Sequence, residues 1–592
     1  MLWLLRWIIL LLLQHAVLCL WPLPRSILTG TDFLRLSANF SFSLDIAEPP
    51  NDLVEALERT SSALKHSVII ARLVPDRGVG DRDAIRIAPL LSSLRVSLTG
   101  NAPVRPITEE AVSPLGTRKE SYSLSIPATG ESAILEANST LGILRGLTTF
   151  EQMWYSLGDV VYTNLSPLVI DEDSPAYPYR GFMLDTARSF FPVADIKRTL
   201  DAMSFVKMST FHWHVVDSQS FPLGVYEFPE LSEAGAYSPE QVYTVADVDD
   251  IVTYAAKASR FFSCSTPSLT IVQRGIDVLM EIDVPGHTNV ISYAHPSFIA
   301  CSEATPWQTF AAEPPSGQLR ITSRAVLDFT TALLRDVARR LPSAYFSTGG
   351  DEVNEACYVR DLQTQADLAA TGLSLEEALS MFVHAAQDAV AEEGKTPVVW
   401  EGRRRTVCKY READSFPEMV LAHNLTLSNE TIVMVWISSE HAAEIVRRDF
   451  RIVQAPSDYF YLDCGGGQWL GNDPSGTSWC DPYKTWQKAY TFDPLADIAA
   501  DQHHLLFAYS HSGQQCLWAE QSSPENLDSI VWPRAASSAE VFWTGDGRVL
   551  DVKEASPRLH DLRYRLVERG VRAIALQPEW CALRPGKCNI DS

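Results

Sequence analysis

Basic residues are scarce in this sequence, which has 49 lysines and arginines against 73 aspartates and glutamates. The formal net charge of −24 argues against nucleic acid or an anionic membrane as a partner, because both require clustered positive charge. No Gly-x-Gly-x-x-Gly or Gly-x₄-Gly-Lys-Ser/Thr motif follows an apolar run, so a nucleotide site has no local signal. Cys-x-x-Cys pairs are also missing, which leaves a structural zinc site with little support.

Long apolar runs are missing after the N-terminus, where no segment reaches the ~20 apolar residues that span a bilayer. The N-terminus itself has one early arginine, an apolar run from Trp7 to Leu13, and small or modest residues from Ala16 to Cys19. This layout predicts a secretory signal peptide over residues 1–19, with an uncleaved signal anchor as the alternative. N-glycosylation sequons lie at Asn39, Asn138, Asn164, Asn424 and Asn429.

The cysteines fit an oxidising compartment, where disulfides are expected. Of the ten in the chain, Cys19 would leave with the signal peptide, so an odd number remains and at least one thiol is left over. Cys581 and Cys588 are close enough to close a small loop, and Cys464 and Cys480 to close another. The sequence alone leaves the pairing open.

The first part of the chain, residues 20–175, reads as an α+β domain. Alternating stretches at Leu94–Gly100 and Ser121–Ala128 predict strands, and apolar residues at helical spacing predict a helix within Ala137–Tyr155. The Pro-rich, acidic stretch DEDSPAYPYRG that follows predicts a domain boundary. Residues 176–592 then form the second domain, with a C-terminal extension.

The second domain has eight apolar, β-branched runs, with helical stretches between most of them. The runs are RGFMLDTA, TFHWHVVD, GIDVLMEIDVPGH, AYFSTGGDE, TPVVWEG, TIVMVWIS, RIVQAPSDYFYLD and GQQCLWAEQ. Continuous apolar strands that alternate with helices indicate a parallel sheet buried on both faces. This number of units predicts a (β/α)₈ TIM barrel, with a doubly wound open sheet as the alternative.

Nearly every run ends in polar or aromatic residues, as barrel enzymes require of the strand ends that build their sites. These residues are Asp185, Asp217, His287, Asp351, Glu352, Trp400, Trp436, Asp463, Trp518 and Glu520. A single polar residue at a strand end can be a helix cap or part of an ion pair. Polar or aromatic residues at the ends of so many successive strands predict that these side chains converge on one site at the same end of the barrel.

The stretch STGGDEVNEAC, which begins at Ser347, places two glycines before the adjacent acids Asp351 and Glu352. Glycines allow the backbone to bend and a ligand to approach closely. A glutamate in a partly apolar mouth beside an ionised aspartate has a raised pKa and can donate a proton to a leaving group. The alternative is that both acids hold a lysine or cap the next helix.

Aromatic strand ends favour a sugar as the ligand. Trp400, Trp436 and Trp518 end three different strands, and Tyr461 lies near another. The C–H face of a sugar ring packs on indole while its hydroxyls reach acids. Arg180 and Glu520 could bind hydroxyls on the far side, whereas the alternative reading has the tryptophans simply filling the core.

A metal hydrolase is the rival interpretation. His212 and His214 are two residues apart on one strand and therefore share a face, and His287 could be a third ligand. The later strands end in Trp and Tyr rather than His, and no lysine stands at a strand end to bridge two metals.

Several motifs together resemble glycoside hydrolase family 20, the β-N-acetylhexosaminidases, and are most similar to the secreted fungal enzymes. They are HWHVVDSQSFPL, RGFMLDTAR, EIDVPGH, FSTGGDEVN, APSDYFYLD and LWAEQSSPENLD. The resemblance covers nearly the whole chain after the signal peptide. It implies an exo-acting enzyme that removes terminal GlcNAc, or GalNAc, from chitooligosaccharides and glycans through a retaining, substrate-assisted mechanism.

The resemblance also implies a role for each site residue. Glu352 matches the general acid and base, and Asp351 the residue that orients the substrate acetamide and stabilises the oxazolinium intermediate. Residues that match substrate-binding or supporting positions are Arg180, Asp217, His214, His287, Trp400, Trp436, Tyr461, Asp463, Trp518 and Glu520. No metal or organic cofactor is implied, and a homodimer is an assembly that the resemblance allows. Cys516 stands where the family usually has an aliphatic residue, which makes it a candidate for the odd thiol.

Two segments, 259–273 and 402–417, interrupt the pattern and differ in composition from their surroundings. Each brings a cysteine, Cys264 and Cys408. We interpret them as unspliced introns translated in a gene model, with genuine loop insertions as the alternative. Real insertions would favour a catalytically impaired, sugar-binding homologue.

The intron hypothesis predicts that transcript sequencing yields reads lacking both segments. Reads that contain both segments would contradict it.

Overall fold

A computed structural model of the chain describes residues 19–65, 68–100, 103–255, 274–402, 427–428, 430–496, 498–502, 513–545 and 551–590. The chain divides into two compact units. The first comprises Met1–Glu110, Lys119–Ala176 and Trp543–Ser592, and the second comprises Ala111–Arg118 and Tyr177–Phe542. The segment after Phe542 thus groups with the first unit, whereas the sequence analysis assigned it to the barrel domain.

The first unit contains a six-stranded mixed sheet. Its strands are β1 (Ile27–Asp45), β2 (Leu90–Leu98), β3 (Tyr122–Ile126), β4 (Ser132–Ala137), β5 (Tyr155–Leu157) and β6 (Val160–Asp173). The strand order is β1-β2-β4-β3-β6-β5, with a further pairing of β1 to β6. The strands predicted near Leu94 and Ser121 are β2 and β3.

The predicted helix of this unit spans Thr140–Gln152 and is buried along most of its length. It begins where the sequence supplies a cap, because the Ser139 side chain accepts a hydrogen bond from the Gly142 amide at 3.0 Å. Side chains at Gly142 or Gly146 would overlap neighbouring atoms of the sheet, so glycine lets the helix approach it closely.

The second unit is a closed barrel of parallel strands. They are β7 (Arg180–Asp185), β8 (Thr210–Val216), β9 (Asp277–Ile282), β12 (Tyr345–Ser347), β13 (Thr396–Trp400), β14 (Ile432–Val435), β15 (Arg451–Gln454) and β16 (Gly513–Leu517). A two-stranded pair, β10 (Ile299–Ala300) and β11 (Gln318–Leu319), lies outside the barrel. The predicted (β/α)₈ fold is confirmed, and the open-sheet alternative is wrong because β16 pairs with β7 and closes the ring.

Helices surround these sheets, and no helix of the described residues is long and apolar enough to cross a membrane. The α-helices are Asn51–Lys65, Arg82–Ile87, Ile107–Val112, Thr140–Gln152, Val193–Phe205, Pro229–Gly235, Val245–Ala255, Arg324–Arg340, Glu355–Arg360, Leu362–Thr371, Leu375–Glu392, Ala442–Val446, Ser457–Phe460, Trp486–Tyr490, Leu527–Val531, Arg534–Thr544, Val552–Glu568 and Glu579–Ala582. Short 3₁₀ helices span Val79–Asp81, Leu115–Thr117, Asn289–Tyr293, Pro296–Phe298, Trp307–Thr309, Ser439–His441 and Ala500–Gln502.

Disulfides join Cys301 to Cys357, Cys464 to Cys480 and Cys581 to Cys588. The two loop closures expected from sequence spacing are therefore present. Among the described cysteines, Cys516 is a buried free thiol.

Several sequence-based predictions fall outside the described residues. These are the signal peptide up to residue 18, the interruptions at 259–273 and 403–417, and the sequons at Asn424 and Asn429. Of the remaining sequons, Asn39 and Asn138 are exposed and Asn164 is half-buried.

The Cys301–Cys357 disulfide links the loop after β10 to the helix that follows the acidic pair. We expect the double variant C301S/C357S to lose about 2–5 kcal/mol of stability, measured by thermal unfolding. The matched variant C581S/C588S should lose less, because its cysteines are 7 rather than 56 residues apart. An equal or larger loss in this second variant would contradict the expectation.

Candidate active site

A cavity of about 350 Å³ opens at the carboxyl-terminal ends of the barrel strands. Most of the residues predicted from the sequence line it: Asp217, His287, Asp351, Glu352, Trp436, Tyr461, Asp463, Trp518 and Glu520. This is the end of the barrel at which the fold builds its active sites. Arg180, His214 and Trp400 lie elsewhere, as described below.

The two glycines before the acidic pair let the chain turn tightly around a third carboxylate, that of Asp283. Gly349 and Gly350 have φ angles of +63° and +95°, in the region that favours glycine. A Cβ at Gly349 would overlap the Asp283 carboxylate, and the Gly350 amide donates to that carboxylate at 2.8 Å. The backbone of Glu352 also lies in the left-handed region, with a φ angle of +53°. The side chains of the two acids therefore point in different directions.

Asp351 is the buried member of the pair, with 8% of its surface exposed. Its Oδ1 accepts no hydrogen bond from the described part of the chain. Burial raises the pKa of Asp351 well above its ordinary value, and the Asp283 carboxylate adds to the shift. A buried carboxylate oxygen without a donor is costly unless a ligand supplies an N–H or a positive charge.

Glu352 is the more exposed member, and a chain of hydrogen bonds supports it. His287 Nε2 lies 3.5 Å from Glu352 Oε2, and His287 Nδ1 lies 3.2 Å from Asp217 Oδ1. The second oxygen of Asp217 is 2.9 Å from His214 Nε2. His214 therefore lies behind Asp217, outside the cavity wall.

Charges alternate along this chain. Burial alone would raise the pKa of Asp217, but Arg188 and His287 outweigh it and hold that pKa well below its ordinary value. Burial alone would lower the pKa of His287, but the Asp217 carboxylate outweighs it and holds that pKa well above its ordinary value. The charged form of His287 is thereby favoured next to the Glu352 carboxyl group.

Arg188 is a cavity residue that the sequence analysis missed. Its guanidinium pairs with Asp217 at 3.0 Å, Glu313 at 2.6 Å and Asp185 at 3.3 Å. It also lies over the Trp518 ring, 5.1 Å from the ring centroid. Four interactions thus fix a cation in the cavity wall.

Arg180, the arginine predicted to bind substrate, is not in the cavity. It is fully buried at the first position of β7, the amino-terminal end of the strand, and its guanidinium donates to the carbonyls of Tyr177, Pro178 and Lys207. The prediction was wrong because a residue that begins a barrel strand lies at the opposite end from the site. Arg188 lies three residues beyond the end of the same strand. That position, after the carboxyl end of a barrel strand, is the sequence signal from which Arg188 could have been predicted.

Aromatic rings form much of the cavity wall. Trp436 and Tyr461 are nearly parallel, with ring centroids 6.5 Å apart, and Trp518 lies 6.3 Å from Tyr461. Three tryptophans that the sequence analysis did not select also line the cavity: Trp307, Trp469 and Trp479. The last two belong to the loop closed by the Cys464–Cys480 disulfide.

Trp400 lies beneath the cavity rather than in its wall. Only 2% of its surface is exposed, its indole N–H donates to Glu281 at 3.1 Å, and its ring lies 5.9 Å from that of Trp518. The side chain points into the barrel interior, so the predicted direct contact with a sugar is not what this geometry provides.

Asp463 and Glu520 add two carboxyl groups to the wall. Burial raises the pKa of Asp463 to about 7 and that of Glu520 well above its ordinary value. Asp463 is anchored by the Trp518 amide, which donates to it at 3.4 Å. A carboxyl group accepts hydrogen bonds when it is ionised and can also donate one when it is protonated, which suits hydroxyl ligands.

The three histidines of the rival metal interpretation do not converge on one point. His212 and His214 both face Glu281, while His287 approaches Asp217 and Glu352. His212 is thus a satisfied core residue.

His287 does come within 4.8 Å of two pairs of carboxylates, Asp217 with Glu313 and Asp283 with Asp351. A divalent cation could use either grouping. Three of these four acids, however, already take part in the ion pairs and hydrogen bonds described above.

The tight turn predicts a difference between two neighbouring glycines. Gly349→Ala should reduce stability by about 1–3 kcal/mol more than Gly350→Ala, because only the former forces a Cβ into the Asp283 carboxylate. Both variants also carry the cost of placing alanine at a positive φ, which is not smaller at Gly350, where φ is +95°, than at Gly349, where it is +63°. Equal shifts in thermal unfolding would show that Asp283 does not set this turn.

Comparison with known proteins gives the same picture. Residues 177–546 match the family described as glycosyl hydrolase family 20, catalytic domain, and residues 20–153 match one described as beta-acetyl hexosaminidase like. A beta-hexosaminidase of Arthroderma benhamiae is 31% identical over 567 residues, which cover 92% of this chain and 87% of the relative.

An insect relative and a solved structure add to this. A chitooligosaccharidolytic beta-N-acetylglucosaminidase of Bombyx mori is 34% identical over 485 residues, which cover 79% of this chain and 74% of the relative. The structure of Flavobacterium johnsoniae chitobiase shares the fold, with a TM-score of 0.70 and 24% identity over 94% of this chain and 74% of that one. This chain therefore belongs to glycosyl hydrolase family 20 and is a glycoside hydrolase.

Proposed function

We propose that this chain is an exo-acting β-N-acetylhexosaminidase, which hydrolyses terminal non-reducing GlcNAc, or GalNAc, residues of chitooligosaccharides and glycans. The observation that carries the proposal is the pair of adjacent acids in opposite surroundings. Asp351 is buried with an oxygen that lacks a donor in the described chain, and Glu352 is partly exposed beside His287. The Bombyx mori relative is chitooligosaccharidolytic, which supports the substrate class.

In the first step, Glu352 gives its proton to the glycosidic oxygen as the bond from that oxygen to C1 breaks. The carbonyl oxygen of the substrate's own 2-acetamido group attacks C1 from the opposite face and forms an oxazolinium ring. Because the nucleophile is tethered to the reacting centre, its attack gains up to ~7–11 kcal/mol over an untethered one.

Asp351 holds the acetamide during this step. Its Oδ1 accepts the acetamide N–H, and its negative charge stabilises the positive charge of the oxazolinium. The same contact lowers the pKa that burial raises, so the bound state favours the carboxylate.

In the second step, Glu352 is a carboxylate and acts as the base. It takes a proton from a water molecule, which attacks C1 and opens the oxazolinium ring. Two inversions at C1 give net retention of the anomeric configuration. Between the two steps Glu352 is a carboxylate. His287 donates a hydrogen bond to it and stabilises its negative charge.

The cavity fits one terminal sugar. Trp436, Tyr461 and Trp518 offer flat apolar faces to the ring, and Arg188, Asp463 and Glu520 offer polar groups to its hydroxyls. Both kinds of contact are needed to orient a ring that is apolar on its faces and polar around its edge.

We also propose that the enzyme acts in the medium or the cell wall after passage through the secretory pathway. Three disulfides support an oxidising compartment, and the exposed sequons at Asn39 and Asn138 are accessible to glycosylation.

The acid assignment predicts that Glu352→Gln lowers kcat by roughly 10²–10⁴ on substrates with poor leaving groups, with KM little changed. On an aryl glycoside with a good leaving group the loss should be smaller, because that oxygen departs without a proton. Steady-state kinetics on both substrate types measures the difference.

The matched control is Glu355→Gln, which makes the same change three residues further along, in the next helix. It should keep kcat within about twofold on both substrates. Undiminished turnover by Glu352→Gln, or equal losses with the two leaving groups, would refute the assignment.

A further inference from the structure

Glu281 is a buried carboxylate for which the mechanism above has no use. It lies in β9, has no exposed surface, and is surrounded by donors from three other strands. His214 and the Trp400 indole N–H contact its Oε1, the latter at 3.1 Å. His212 Nε2, at 3.1 Å, and the Ser347 hydroxyl contact its Oε2. Both oxygens are thus saturated, as a buried carboxylate requires.

His212 meets a carboxylate at only one of its two ring nitrogens. Tyr179 donates a hydrogen bond to Gln514 Oε1 at 2.6 Å. Gln514 Nε2 lies 3.1 Å from His212 Nδ1, the ring nitrogen that faces away from Glu281. His212 therefore donates to Glu281 only through Nε2.

His214 is in a different position, because acceptors flank both of its ring nitrogens. Nδ1 faces Glu281 Oε1, and Nε2 faces Asp217 Oδ2 at 2.9 Å. Two carboxylates can be satisfied only if both nitrogens carry protons, so His214 is an imidazolium. Burial opposes this charge, but Asp217 and Glu281 outweigh burial and hold the pKa of His214 well above its ordinary value.

Among the described residues, the other groups around His214 do not take the place of Glu281 as the partner of Nδ1. The ring of Trp518, the residue after β16, packs edge-on, 4.9 Å away, and Asp185 from β7 adds a further negative charge. Arg188 contacts the same oxygen of Asp217 as His214 does, Oδ2, at 3.0 Å. Within the described residues, Glu281 is thus the carboxylate that pairs with Nδ1.

We propose that Glu281 is a positioning residue for the reaction, and that its carboxylate keeps His214 doubly protonated so that His214 and His287 hold Asp217 between them. Asp217 held in this way keeps His287 directed at Glu352. The inference rests on the proposed function for its catalytic consequence but not for its protonation state. Removal of the Glu281 charge lets His214 lose a proton. The ion pair between His214 and Asp217, which helps to hold Asp217 in place, is then lost.

The first test measures protonation directly, by nitrogen-15 NMR of the imidazole rings in the whole protein labelled at histidine. The signals of His214 are assigned by their loss in His214→Asn. In the native protein both ring nitrogens of His214 should be protonated from pH 5 to pH 8, and in Glu281→Gln one of them should lose its proton. A singly protonated His214 in the native protein at pH 7 would overturn the proposal, even if Glu281→Gln failed to fold.

The matched variant is Asp277→Asn, which removes another buried acid from the same strand. Asp277 pairs with Arg118 at 2.6 Å and with Ser343, and is not part of the histidine chain. This variant should leave His214 doubly protonated. If it changed His214 as Glu281→Gln does, the effect would be general to buried charges and the proposal would fail.

The second test is kinetic. On a chitooligosaccharide, Glu281→Gln should lower kcat about tenfold with little change in KM. Activity should also be lost at a lower pH on the alkaline side of the profile, because His214 can then lose its charge as the pH rises. Asp277→Asn should keep the native pH profile. A native kcat and pH profile in Glu281→Gln would overturn the proposal. Lack of turnover by the native enzyme would instead defeat the proposed function, while the NMR result would still decide the role of Glu281.

Discussion

The turn of the chain around the Asp283 carboxylate is the constraint on which the site depends. Gly349 leaves room for that carboxylate, Gly350 donates to it, and both glycines have the positive φ angles that bend the backbone after β12 around it. Two acids adjacent in sequence then face different environments: Asp351 turns into a buried wall, and Glu352 turns toward His287 and solvent. Differences of this kind separate the pKa values and roles of neighbouring carboxyl groups without any change of residue type.

The barrel strands and their ends could be predicted because a strand buried on both faces leaves a continuous apolar run in the sequence. The acidic pair, His287 and Trp518 follow such runs directly, and the cavity contains all of them. The error over Arg180 was one of direction along a strand. Arg180 begins β7 and Arg188 follows its end, so the rule that placed the other residues favours Arg188.

Other features depend on contacts that local sequence does not encode. Trp469 and Trp479 reach the cavity because a disulfide closes their loop, and Glu313 reaches Arg188 from a segment distant in the chain. His212 and His214 gave the pattern of a metal pair, but Glu281 from the neighbouring strand lies between them. The role of each histidine depends on which groups its ring nitrogens contact. Those contacts are set by the register of the neighbouring strands rather than by the spacing of the two histidines in the sequence.

The central claim is that the substrate supplies its own nucleophile, held by Asp351. Its most direct test is the hydrolysis of aryl glycosides whose N-acetyl group carries none, one, two or three fluorine atoms. Each fluorine withdraws electrons from the carbonyl oxygen while the leaving group stays the same. If that oxygen attacks C1, kcat/KM should fall steeply and steadily along the series. A value of kcat/KM that stays constant across the four substrates would contradict the account.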